Sequence, residues 1–306
     1  MPHKLSGLAL ATIIMVAMSG ITRAEKVALT FDDLPLNGEL APNMTRAGIV
    51  RDALRILKAR RAPPVYGFIN AQKLENAADG AEALRLWVSG GQRVGNHAYS
   101  HPDLSRTTAE DFLADVRRNE PVLQLLDPGN AWHWFRYPYL REGDTLEKRR
   151  QVRQGLVARG YRIAQVTLDY EDYLWNTPYA RCLARNDRKG IEWLRSSYLE
   201  TTKRFLETNR QMARQVYGRP IDHVLLLHLG AYTSTILPEL LDLLQSQGFE
   251  LATLEEVQRD PAYVEDPDSG SALGGSLLEQ LMDARKLQYP PVSSKPVQQL
   301  AQICTS

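Results

Sequence analysis

"VALTFDD", residues Val27–Asp33, runs five apolar or β-branched residues straight into two carboxylates. A strand that is apolar almost throughout is buried on both faces, as in a parallel sheet covered by helices. Its carboxyl end is then the edge where parallel α/β folds assemble their sites. Similar runs recur at Val65–Ile69, Arg93–His97, Trp132–Arg136, Arg162–Asp169, His223–His228 and Phe249–Leu254. Amphipathic stretches separate them. "RAGIVRDALRILKARR" places Ile49, Ala53, Ile56 and Leu57 at helical spacing. "TTAEDFLADVRRNEPVLQLL" opens with Thr107 and Glu110 at capping-box spacing. The alternation predicts an α/β fold, a distorted, incomplete (β/α) barrel of about seven parallel strands, with an open doubly wound sheet as the alternative.

Five of these strands end in ionisable groups: Asp32 and Asp33 after the first, His97 with His101 one loop later, then Arg136, Asp169 and His228. Singly each is bland, since a terminal Asp is usually a cap and a lone His a structural residue. Together, on one face, they predict an active site. The paired histidines in "HAYSH" are not a zinc-protease helix, which needs Glu after the first His. Ala98 fills that slot, and Pro102 discourages a helix through the pair. If the imidazoles hold a metal, a further ligand and the base come from elsewhere. Two His and one Asp also describe non-haem iron oxygenases, but those usually carry H-x-D on an antiparallel scaffold. Alternation along the strand predicts that Asp32 and Asp33 point to different sides.

"TFDDLP" (Thr30–Pro35), "HAYSH" (His97–His101), "RYPY" (Arg136–Tyr139), "DYEDY" (Asp169–Tyr173) and "LLH" (Leu226–His228) occur in that order. In this the chain resembles the NodB-homology polysaccharide deacetylases, carbohydrate esterase family 4. The resemblance implies a distorted barrel of about seven strands and a divalent metal on Asp33, His97 and His101. Zinc is the first expectation, with cobalt, nickel or manganese as alternatives. It further implies Asp32 as general base, His228 as general acid, Arg136 paired with Asp32, and Asp169 orienting His228. Pro138, Tyr139 and Tyr173 would contact substrate. The implied reaction is attack of water on an acetyl carbonyl of a polysaccharide or other exported glycan, N-acetyl ahead of O-acetyl. An amide is a poor electrophile, so a Lewis acid, a base and an acid for the departing amine are each needed. Two His and one Asp leave coordination positions open, as a catalytic site requires.

The chain departs from the family pattern at Leu34 for glycine, Ala98 for Ser or Thr, and Tyr173 for tryptophan. Two rivals remain on this fold: a hydrolase of a small non-peptide C–N substrate, and a non-catalytic glycan-binding relative. Tyr137, Tyr139, Tyr170, Tyr173 and Trp175 cluster in sequence around the expected rim. Flat aromatic faces suit sugar rings and equally suit a core.

The 306 residues fit one large domain or two ordinary ones, and 43% hydrophobic residues suffice for a core. Lys+Arg 37 against Asp+Glu 36 leaves no basic field for nucleic acid. His3 and Lys4, an apolar run from Leu8 to Met18 and Ala24 before Glu25 predict a cleaved signal peptide over 1–24. The run is shorter than a spanning helix. Export to the periplasm or medium follows, with no stable membrane anchor after cleavage. The expected domain is 25–257, with a helical insertion at 170–220 closed by Gly218 and a partly ordered tail over 258–306. Cys182 and Cys304 could pair in an oxidising compartment, but two cysteines make no disulfide framework and are read as incidental. The sequence gives no sign of oligomeric state.

Overall fold

A computed structural model describes residues 24–129, 131–291 and 294–305. The expected signal peptide, all but Ala24, lies outside them. The seven expected strands all form: β1 (Glu25–Leu34), β2 (Tyr66–Ile69), β3 (Arg93–Asn96), β4 (Trp134–Phe135), β5 (Arg162–Ile163), β6 (His223–His228) and β7 (Phe249–Leu251). They make one parallel sheet in the order β5-β4-β3-β2-β1-β6, with β7 added to the start of β1 at Glu25–Val27. The run Arg162–Asp169, expected as one strand, changes partner midway. Ala164 N–H still donates to Phe135 O of β4, whereas Leu168 bridges Leu225 of β6. That bridge curls the sheet back on itself into the distorted barrel expected from the strand count. Val224, Leu225 and Leu227 of β6 are fully buried, which is why "HVLLLH" carries no polar alternation.

The covering helices are α1 (Arg46–Ala59), α2 (Gly80–Ser89), α3 (Ala109–Leu126), α4 (Leu146–Ala158), α5 (Asn176–Ala184), α6 (Arg188–Tyr217), α7 (Ala231–Ser246), α8 (Leu254–Val257), α9 (Leu277–Ala284) and α10 (Val297–Gln302). Helix α1 buries Ile49, Ala53, Ile56 and Leu57 as its periodicity requires. The cap of α3 is Thr108, whose hydroxyl accepts from Asp111 N–H, and not the expected Thr107–Glu110 box. Thr107 is unavailable because its hydroxyl donates to Asp103 O at 2.8 Å, closing the turn Leu104–Arg106.

The insertion holds two helices, α5 and α6, and Gly218 ends the second at φ 69. No residue of either helix lines the cleft described below. The stretch after Gln258, expected to be only partly ordered, carries the turn Pro261–Val264, α9 and α10. Leu277, Leu278, Leu281 and Met282 of α9 are buried with Met212, Ala213 and Val216 of α6. Asp266 accepts from the buried Arg149 of α4 at 2.7 Å. Cys182 and Cys304, 122 residues apart, form a disulfide, which corrects their reading as incidental. Only the packing of α10 beside α5 brings them together, and spacing carried no hint of it. Among the described residues, no helix is long and apolar enough to cross a membrane.

Candidate active site

The carboxyl ends of β1, β3 and β6 and the loops that follow them meet in a cleft of about 460 Å³. Asp32 and Asp33 do not diverge as alternation predicts. The register between β1 and β2 shifts between Phe31 and Leu34, and Asp33 adopts φ 68. One residue in the left-handed region turns its side chain back toward its neighbour's. His97 Nε2 therefore lies 3.6 Å from Asp32 Oδ2 and 3.7 Å from Asp33 Oδ1. Leu34, where the family pattern has glycine, is fully buried over Gly67, where a Cβ would come within 2.4 Å of its Cδ2.

His97 Nδ1 lies 2.8 Å from Arg136 O. A carbonyl only accepts, so that nitrogen carries the proton and the Nε2 lone pair faces the cleft. His101 Nε2 stands 3.4 Å from Asp33 Oδ1, and one ligand atom from each of Asp33, His97 and His101 falls within 4.8 Å of the others. Burial lowers both imidazoles to about 4, so they are neutral at neutral pH. Burial pushes the Asp33 carboxyl up, but Lys73 and the nearby imidazoles outweigh it and hold the group well below the usual carboxylate range. Asp33 Oδ2 is held by Asn37 Nδ2 at 2.8 Å and Lys73 Nζ at 3.3 Å. Its Oδ1 is buried with no hydrogen-bond partner. An unpartnered carboxylate oxygen facing two neutral imidazoles fits a divalent cation.

The loop that presents His101 is not helical, and Ala98 and His101 sit at φ 59 and 58. Side chains from neighbouring elements hold it. Asn70 Nδ2 donates to His97 O and Ala98 O, Asn96 Oδ1 accepts from Ala98 N–H, and Asp115 of α3 accepts from Tyr99 N–H at 2.7 Å and Ser100 N–H at 3.0 Å.

Arg136 is fully buried. It donates to Asp32 Oδ1 at 3.1 Å, Thr30 Oγ1 at 3.1 Å and Ala164 O at 2.7 Å, under the Phe68 ring. Burial raises the Asp32 carboxyl above its ordinary value, with Arg136 opposing. Across the cleft, His228 Nδ1 lies 2.7 Å from Asp172 Oδ1, and His228 N–H donates to Asp172 Oδ2 at 2.9 Å. Burial lowers this imidazole, but Asp172 outweighs it, Asp33 and Asp32 add to the effect, and the net value is raised to about 9.

The partner of His228 is thus Asp172, which corrects the expectation of Asp169. The chain passes through the left-handed region at Glu171 (φ 57) and drops Asp172 into the turn Asp172–Trp175 beside β6. Asp169 instead accepts from Glu171 N–H at 2.8 Å and lines the cleft, pushed up to about 6 by burial.

Tyr139 and Tyr173 stand at the rim, partly exposed, in edge-on contact with His101 and His228 at centroid separations of 4.3 Å and 5.0 Å. Tyr137, Tyr170 and Trp175 are core residues, so only two of the five clustered aromatics reach the cleft. Pro138, expected as a substrate contact, is buried next to Tyr139 and is not among the residues lining the cleft. Asn37, Lys73, Arg141 and Leu273 are site residues that sequence reasoning missed. Asn37, four residues after Asp33, lay closest to a readable signal; the others lie far from the motifs or look like surface residues.

Residues 19–156 match the polysaccharide deacetylase family model. A chitin deacetylase of Arthroderma benhamiae is 26% identical over 167 residues, covering 54% of this chain and 40% of that protein. A peptidoglycan-N-acetylglucosamine deacetylase of Bacillus cereus is 28% identical over 157 residues, covering 51% and 50%. The chain therefore spans half or less of the length of these two relatives. The solved structure of the chitin deacetylase from the fungal pathogen Colletotrichum lindemuthianum superposes with a TM-score of 0.51 at 24% identity, over 77% of this chain and 88% of that one. The likeness is one of fold.

Proposed function

We propose that this chain, similar to the polysaccharide deacetylases over residues 19–156, is a metal-dependent hydrolase of acetylated glycans, N-acetyl ahead of O-acetyl. One observation carries the reading. A buried carboxylate held by Arg136 and an imidazole held by Asp172 flank the same three-ligand cluster. A binding module has no use for that polarity.

Asp33 Oδ1, His97 Nε2 and His101 Nε2 would hold the cation. Two imidazoles and one carboxylate suit zinc, and cobalt, nickel or manganese are accommodated by the same donors. When bound, the ion polarises the acetyl carbonyl and acidifies the attacking water. Asp32 takes the proton of that water, because its raised carboxyl is a better base than an exposed aspartate and Arg136 locks its orientation. His228 delivers a proton from Nε2 to the departing amine, while Asp172 fixes the other ring nitrogen and stabilises the imidazolium. Acetate and a free amine result. Tyr139 and Tyr173 flank the opening as surfaces for a sugar ring. The names of the relatives suggest polymers of N-acetylated hexosamines. A disulfide between Cys182 and Cys304 supports export, because such bonds persist in oxidising compartments.

Acetate release should be assayed on a panel of N- and O-acetylated glycans, with and without a strong chelator. Release that chelation abolishes and zinc or cobalt restores supports the reading. Release unaffected in metal-free protein removes the metal, and no release from any member of the panel removes the hydrolase.

A further inference from the structure

The segment from Asp266 to Leu277 lies beyond the region that matches the family model and beyond the last strand, yet it reaches the cleft. Both its ends are pinned. Asp266 accepts from Arg149 at 2.7 Å and Asp268 from Arg150 Nε at 3.0 Å, while Leu277 N–H donates to Val166 O at 2.7 Å. Between them Ser271 N–H donates to Gly143 O at 2.8 Å. The backbone lies flat on the loop that follows β4. A Cβ at Gly270 would come within 2.6 Å of the Thr145 carbonyl carbon, and one at Gly274 (φ +73) within 2.6 Å of Tyr139 O. Two glycines allow that approach and a side chain at either would break it.

On this fixed segment Leu273 projects with 85% of its surface exposed, and it lines the mouth of the cleft. An apolar side chain in solvent is ordinary when it stands alone. Here it shares a rim with Tyr139, itself 55% exposed, on a segment tied to the same loop. The floor of the cleft is polar, and its chemistry is complete without Leu273. A side chain so exposed touches little of a group held at the floor; it meets what continues out of the mouth.

We propose that the segment Asp268–Gly275 is a specificity wall and that Leu273, with Tyr139, packs on the C–H face of a sugar unit adjoining the one that is deacetylated. The preferred substrate is then a glycan chain and not a single N-acetyl sugar. This rests on the glycan reading of the site. Leu273 is a specificity-determining residue: it binds the chain and leaves the reacting atoms alone.

The test compares the parent protein with Leu273→Ala on an N-acetylated tetrasaccharide and on the single N-acetyl sugar. Leu125→Ala, an equally exposed leucine on α3 that does not line the cleft, serves as control. Partial burial of a leucine is worth roughly a five- to tenfold change in affinity. KM for the tetrasaccharide should rise by about that factor in Leu273→Ala with kcat unchanged, while the single sugar and the control show no shift. Unchanged KM on the tetrasaccharide, or an equal rise on both substrates, overturns the wall. A calorimetric titration of the tetrasaccharide into the Asp32→Asn background, with and without Leu273→Ala, separates this inference from the reading beneath it. If no acetate is released but Leu273→Ala still weakens binding by that factor, the deacetylase falls and the wall stands. If binding is absent or unaffected, the wall falls whatever the activity.

Discussion

Asp32 and Asp33 are chemically identical neighbours, and their surroundings divide the labour. Asp32 has its oxygens on Arg136, whereas Asp33 keeps one oxygen unpartnered toward two imidazoles. Asp33→Asn should therefore lose metal by elemental analysis, with excess zinc restoring part of the activity. Asp32→Asn should keep its metal and lose turnover by ~10²–10⁴-fold that no added metal recovers. The reverse pattern would swap the roles. A second expectation follows from His228, raised to about 9 chiefly by Asp172 against its burial. The form that donates is the imidazolium, so this activity is present below that value and falls as pH rises through it. Asp172→Asn removes the largest raising influence and should move the alkaline limb of the rate profile to lower pH, whereas Asp169→Asn should move it less. A limb that follows Asp169 and ignores Asp172 would refute the pairing. The motifs showed which residue types gather here but not which acid of "DYED" faces His228. That choice is made by a backbone reversal at Glu171, a dihedral that no composition reveals.

At the scale of elements, the seven strands were legible because burial on both faces leaves long apolar runs, and those runs survive in the sequence whatever the pairing. Where one run serves two partners, as Arg162–Asp169 does, the pattern records burial and hides the change from β4 to β6. The loop after β3 was legible only as non-helical. Its support comes from polar residues elsewhere, above all Asp115, on a face of α3 that periodicity alone would assign to solvent. Removing that carboxylate leaves the part-buried Tyr99 N–H without its acceptor, at roughly 1 kcal/mol, while the exposed Ser100 N–H turns to water. Asp115→Ala should therefore lower the thermal midpoint and weaken metal retention together, since His101 rides on the same loop. A variant that unfolds earlier yet holds zinc as tightly as the parent would show that the loop keeps its shape without α3.

For the molecule as a whole, the disulfide between Cys182 and Cys304 joins the insertion to the stretch that follows α10, well past the proposed substrate wall. A link across 122 residues restricts the unfolded chain by about 2–4 kcal/mol in typical cases. Cys304→Ser with Cys182→Ser should lower the calorimetric midpoint to match the parent protein under reductant. Equal midpoints for parent and double variant, with no reductant present, would mean that the bond adds nothing. Neither this bond nor the packing of α9 could be read from the chain, because the first is decided by where α10 lies beside α5 and the second by where α6 lies. The central place of β1 has a consequence of another kind. Val27 pairs with both His223 of β6 and Leu251 of β7, and Thr30 bonds Leu225 from 195 residues away. Such long-range pairing cannot form until nearly all of the sheet's sequence has left the ribosome. If the protein is exported as proposed, its own strand order would keep it threadable until the transporter has hold of it.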